Sequence, residues 1–272
     1  MRIRIGYDIV TRQNAPTPMV LLLHVRPEVS GRLTQPDDLH LTPDLPVREF
    51  IDAFGNRSVR LIAPSGEVRF RTEALLESDG ERDLVVPSAV RHPIEELPDE
   101  CLPFLLASRY CEVDKLSRFA WERFGNLNAT GWETVQAVCD FVHRHVAFGY
   151  QHARYTKSAV DVLEERNGVC RDYQHLALTL CRCLGIPARY ATGYLSDIGA
   201  PPTGNPMDFS AWFQVYLGGR WYDFDARFNT PRIGRTLMAV GRDAADCALI
   251  TSFGTHTLEK FVVVCEKADG SD

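Results

Sequence analysis

Residues 207–227 read MDFSAWFQVYLGGRWYDFDAR, and no other stretch restricts the fold as tightly. Gly218-Gly219 forms a two-residue turn, because glycine reaches positive φ without steric cost. The flanking runs are rich in aromatic and β-branched residues and pair as an antiparallel hairpin. The turn fixes the register. Leu217 faces Arg220, Tyr216 faces Trp221, Trp212 faces Asp225 and position 210 faces Arg227. Strand alternation then predicts residues 210, 212 and 225 on one face. Position 210 is diagonal to Asp225, roughly 7–8 Å away and within reach of a long side chain.

The rest of the chain divides by pattern. Residues 1–91 read as an all-β sandwich domain. Short runs such as RIRIGY, MVLLLHV, SVRLIAP, EVRFRTEAL and DLVVP are separated by Gly, Asn, Pro and Asp turn chemistry. Residues 92–104, HPIEELPDECLPF, carry three prolines and a cluster of acids and read as a linker. From 105 to 272 the pattern is helical first and strand-like later, an α+β plan. Thr130 and Glu133 make a capping box for a helix over about 131–148, with Trp132, Val135, Cys139 and Val142 on one face. A helix from about 158 stops at Asn167-Gly168. Another starts almost at once and runs from Cys170 to Leu184, ended by Gly185 and Pro187. TLEKFVVVCE reads as a last strand.

Charge and cysteine content narrow the function classes. A net charge of -6 argues against nucleic acid as a partner. No apolar run approaches the roughly 20 residues that span a bilayer, and Met1–Asp8 has no apolar signal core. The expectation is a cytoplasmic protein without a membrane partner. The eight cysteines read as reduced thiols in a chain of this size. Cys181 and Cys183 form a C-x-C with no second pair at zinc spacing, so neither a metal nor a cofactor is expected.

Cys170 stands out among them. It lies where one helix ends and the next begins. A thiol there faces unpaired backbone N–H groups and the positive end of the helix dipole. Both favour a reactive thiolate with a lowered pKa. The same N–H groups can hold the oxyanion of a tetrahedral intermediate.

The blocks GVCRDYQHLALTLCRCLGIPARYATGYL and SAWFQVYLGGRWYDFDAR resemble the transglutaminase-like superfamily of bacteria. DAFGN at 52–56 is similar to the β-rich region that often precedes its core. The resemblance implies a papain-like core, a Cys-His-Asp triad and chemistry on amide bonds of peptides or proteins, by hydrolysis or by transfer to an amine. It makes Cys170 the nucleophile position and Asp225 the triad acid. Asp172 and His175 match a D-x-x-H step and look structural. The family histidine belongs in an H-A-W step, which here is Ser210-Ala211-Trp212. Serine is too short to span to Asp225 and has no pKa near neutrality, so it cannot be the general base.

Three readings follow. Another histidine substitutes, with His152 the candidate and Arg154 and Tyr155 beside it serving substrate or oxyanion; His256 is a weaker choice. Alternatively the enzyme works slowly without a base. In the third, the cleft binds peptide without turnover, through contacts such as Trp212, Tyr194 and Tyr222. The oligomeric state does not follow from the sequence.

Overall fold

The computed structural model describes residues 1–201, 204 and 206–268. The strands are β1 (Arg2–Gln13), β2 (Thr17–Leu21), β3 (Leu33–Gln35), β4 (His40–Thr42), β5 (Arg48–Ile51), β6 (Arg57–Ala63), β7 (Gly66–Glu77), β8 (Ala147–Phe148), β9 (Asn167–Gly168), β10 (Ala188–Tyr194), β11 (Ser210–Leu217), β12 (Arg220–Phe224), β13 (Thr236–Gly241), β14 (Ile250–Ser252) and β15 (His256–Lys267). The α-helices are α1 (Pro27–Ser30), α2 (Val113–Phe124), α3 (Gly131–His145), α4 (Ala159–Glu165) and α5 (Cys170–Cys183). This is the expected α+β chain with a β-sandwich at its front.

The sandwich has two antiparallel sheets. One runs β15-β1-β7-β3, with β4 also on β7, and the other runs β14-β2-β6-β5. Its core comes from the inward positions of alternating strands, among them Ile3, Ile5, Ile9, Leu21, Val68 and Phe70. β14 and β15 correct the expected division at residue 105. They lie far along the chain but pair with β2 and β1. Val263 and Cys265 of β15 are buried in the sandwich core, so burial recruits these strands across the boundary. DLVVP forms no strand. Leu84 and Val85 are exposed, and Asp83 is held instead by the Arg232 N–H and the Arg235 guanidinium. Residues 92–104 are not a free tether either. They carry short 3-10 turns, bury Cys101 and Phe104, and His92 accepts the Gly219 N–H.

The third sheet, β12-β11-β10-β13, is covered on both faces. Ala211, Phe213, Val215 and Leu217 pack on the helices. Ala191, Tyr194, Trp212 and Met238 pack into the sandwich core. The hairpin has the expected register, Leu217 opposite Arg220 and Tyr216 opposite Trp221. Gly218 and Gly219 both have positive φ, 53° and 87°, as a primed hairpin turn requires. The capping box of α3 is present, with the Glu133 N–H on Thr130 Oγ1 and the Thr130 N–H on Glu133 Oε2.

α5 is the axis of the second unit. The sequence pattern gives it one buried stripe, yet Asp172–Cys183 are buried all round. α2, α3, α4, β10 and β11 enclose it. Its polar residues survive burial because each has a partner. Asp172 caps the helix, Gln174 reaches β11 and Asp225, Thr179 donates to His175 O, and Arg182 donates to Ala188 O.

Candidate active site

The start of α5 is set by local chemistry. Val169 is extended, and its N–H donates to Asp172 Oδ2 at 2.9 Å. The carboxylate sits so close to Gly168 that a Cβ there would lie 2.7 Å from the Asp172 Cβ, so only glycine fits. β9 pairs in parallel with β8, which lays the following 3-10 turn, Tyr150–His152, beside the helix N-terminus.

Cys170 is the one cysteine that is not buried among the described residues; all eight are free thiols. It opens onto a narrow cleft of about 40 Å³ lined by Tyr150, Asp197, Asp208, Ser210, Arg227 and Arg232, with Leu195, Met207, Phe209 and Phe228 as apolar walls. The backbone N–H groups of Arg171, on the helix, and Ala211, on β11, favour the charged form of the sulfur.

The thiol differs from expectation in its charge state. Burial pushes the Cys170 pKa up. Arg227 and the two N–H groups pull it down, Asp208 pushes it further up, and the net direction is upward. The resting group is a thiol, because desolvation outweighs the donors. Burial also holds Asp208 above the usual carboxylate range, against the pull of the Phe209 N–H and Arg227. Arg227 stacks on Phe148 at 3.8 Å from the ring centre. Among the described residues, no carboxylate lies within ion-pair distance of it.

Ser210 and Cys170 both line this cleft. Asp225 does not line it. Asp225 follows the end of β12, and its Oδ1 accepts the N–H groups of Arg227 and Phe228, closing a turn. Strand alternation therefore stops applying at this residue. Oδ1 also accepts Gln174 Nε2 at 3.0 Å, and Oδ2 accepts Arg235 Nη2 at 3.2 Å. Arg235 in turn donates through Nε to Asp83 Oδ2 at 2.8 Å. This buried cluster takes up both carboxylate oxygens, and no histidine is among their partners.

Several expected site residues fall elsewhere. Trp212 is fully buried against the sandwich, with Nε1 donating to Asp223 Oδ1 at 2.7 Å. It lies on the sheet face opposite α5 and is no cleft contact. Tyr194 and Tyr222 are likewise core residues. Arg154 is bound to Asp161 and Glu165, and Tyr155 is 78% exposed; neither lines the cleft. His152 sits next to Tyr150 but makes its side-chain contact with Gln151. His256 is bonded to Ser252 in the sandwich. Neither His143 nor His145, which were not expected site residues, lines the cleft; they donate through Nδ1 and Nε2 to the Arg227 and Leu163 carbonyls.

His175 is structural, as expected. It is buried, stacks on Tyr110 and accepts the Ala244 N–H on Nε2. Desolvation holds its pKa far down, so the ring is neutral. Sequence reasoning missed Tyr150, Asp208 and Arg227. The signals were present two residues on either side of the expected triad positions, in MDFS and DAR.

A family model for the transglutaminase-like superfamily matches residues 121–226, which contain both Cys170 and Asp225. A crystal structure described as a "Putative Cysteine Protease" from Cytophaga hutchinsonii is 32% identical, with a TM-score of 0.85, over 100% of this chain and 92% of that one. The chain belongs to the transglutaminase-like superfamily. The match to the Cytophaga hutchinsonii protein includes the β-sandwich as well as the transglutaminase-like core, since it spans the whole chain. An uncharacterised protein of Mycobacterium leprae is 35% identical over 94 residues, 34% of this chain and 33% of that protein. The chain thus matches about a third of that curated relative's length. The periplasmic domain of TgpA from Pseudomonas aeruginosa also matches, at 16% identity and a TM-score of 0.41, over 84% of this chain and 73% of that one. Among the described residues, no helix is long and apolar enough to cross a membrane.

Proposed function

We propose that this transglutaminase-like chain is a cysteine-dependent hydrolase or acyl transferase acting on amides of peptides or proteins. The observation that carries the reading is the placement of Cys170, the partly exposed first residue of α5, where helix N-terminal N–H groups lie beside a cleft. Such donors stabilise the oxyanion that forms as the thiolate attacks a carboxamide carbon. The cleft admits the tip of one side chain or one peptide carbonyl.

The steps follow from the groups in the cleft. No histidine lines it, so the thiol gives its proton to solvent. The thiolate attacks the carbonyl carbon, the tetrahedral intermediate collapses, and the C–N bond breaks as the amine leaves with a proton from water. Water or a second amine then attacks the thioester, giving an acid or a new amide and restoring the thiol. Only the thiolate attacks, so turnover rises with pH as the thiolate fraction grows.

The commitment of Asp225 to Gln174 and Arg235 favours a second reading, in which the cleft binds peptide without turnover. Intact-mass analysis after incubation with p-nitrophenyl acetate distinguishes them. Stoichiometric acetylation that maps to Cys170 and is absent from Cys170→Ala supports the enzyme. An unmodified chain at alkaline pH refutes it.

A further inference from the structure

β15 forms the outer edge of the first sheet, with no strand beyond it among the described residues. The Ala268 N–H donates to Arg2 O at 3.0 Å. From there the register with β1 is continuous, from Ile3 opposite Lys267 to Val10 opposite Lys260. Bonded pairs alternate along an antiparallel ladder. Lys260, Val262, Val264 and Glu266 therefore direct their backbone groups to β1. Phe261, Val263, Cys265 and Lys267 direct theirs outward. A bulge just before Lys260 ends the straight edge. Unpaired edges of this kind are templates for another strand. Phe261 and Val262 on this edge are exposed, and Ile198 and Met207 stand across an open groove from Val263–Lys267.

We infer that β15 pairs antiparallel with β15 of a second copy of this chain, with Val263 on the two-fold axis. Residues whose backbone groups point outward must oppose one another, so the axis passes through a residue. The side chains decide which one. An axis at Val263 sets Lys260 opposite Glu266 of the partner subunit, twice by symmetry. An axis at Val262 sets Lys260 against a valine and Glu266 against a leucine. At Phe261 the two charges face Val262 and His256. At Lys260 two lysines meet, and at Val264 the charges face Ala268 and Val262. One register alone pairs opposite charges.

The neighbouring strand extends the match. Glu266 is already bound by Arg4, and Lys260 by Asp8. Across the new interface the row reads Arg4, Glu266, the partner's Lys260, the partner's Asp8, with signs alternating throughout. Val262 and the partner's Val264 meet on the same face and cover each other. None of this pairing uses Cys170.

Sedimentation equilibrium on the whole chain tests the dimer. The expected mass is twice 30.6 kDa at high concentration, falling to 30.6 kDa on dilution. Lys260→Glu leaves two acids on the edge, and Glu266→Lys leaves two lysines. Each is expected to weaken self-association at least tenfold, and an equimolar mixture is expected to restore the dimer. Both residues also pair with β1, so Phe261→Pro provides a control. It removes an outward N–H while leaving the ladder to β1 intact, and it too should yield monomer. A wild-type chain that stays at 30.6 kDa, leaving the groove to an extended peptide of another protein, overturns the inference. So does a dimer that survives Phe261→Pro and both charge changes.

Discussion

The Cys170 cleft and the Asp225 cluster are both anchored on α5, one through its first residue and the other through Gln174. Their polar groups are used differently. In the cleft, Arg227 has no carboxylate within ion-pair distance among the described residues, Asp208 is held above its usual range, and Cys170 stands partly exposed at the start of α5. In the cluster, both oxygens of Asp225 are bonded, to Gln174, to Arg235 and to the turn that follows. The Cys170 end thus has polar groups without strong partners, whereas the Asp225 end is a buried ion pair with both carboxylate oxygens bonded.

The sharpest way to break this contrast is at the nucleophile. Cys170→Ala is expected to lower acyl transfer by about 10³-fold or more, measured with p-nitrophenyl acetate, while the urea midpoint stays close to that of the parent. Equal losses of activity and stability would mean that Cys170 is a core residue. At the other end, Arg235→Leu strands Asp83 and Asp225 as buried charges. Breaking such a pair costs about 3–5 kcal/mol, and urea denaturation should show it. Arg227→Leu should cost far less, because its guanidinium has no carboxylate to abandon. If the two arginines prove equivalent, the distinction between the regions fails.

A finer test lies inside the cleft. Asp208 pushes the Cys170 thiol up and Arg227 pulls it down. Removing the negative charge with Asp208→Asn should move the pH profile of Cys170 alkylation to lower pH. Removing the positive charge with Arg227→Gln should move it to higher pH. Shifts in the same direction would contradict the assignment. The smallest effect is expected from Ser210→His. The new imidazole faces the thiol, but Asp225 is already taken by Arg235, so the gain in amidase rate should stay below about tenfold. A gain of several hundredfold would show that the triad needs only its missing member.

What the sequence disclosed follows physical range. The hairpin register from Leu217–Arg220 to Phe213–Phe224, the α3 capping box and the start of α5 at Cys170 rest on neighbours a few residues apart and stand as read. Ser210 and Cys170, which the resemblance puts near each other, line one cleft. The sequence misplaced Trp212 and Asp225 on a common face, because β12 ends at Phe224 and the chain turns before Asp225. The contact of Arg235 with Asp225 and Asp83 joins three distant segments and leaves no periodic trace. The same holds for β15, which reads as a strand in the sequence, and β14, which does not; neither gives a sign that its partner lies at the front of the chain. Only proximity to His152 in the sequence points Arg154 and Tyr155 to the cleft, whereas the 3-10 turn presents Tyr150 there instead.

The central claim is that Cys170 is an accessible nucleophile held as a thiol at rest. Iodoacetamide labelling of the folded chain, followed across pH by peptide mapping, tests it most directly. Modification should be confined to Cys170, since burial pushes Cys101, Cys111 and Cys183 to about 11 and encloses the others. The rate should climb with an apparent pKa above the free-thiol value of about 8.5. A plateau already reached near neutral pH, or a Cys170 that resists labelling while the fold is intact, would contradict it.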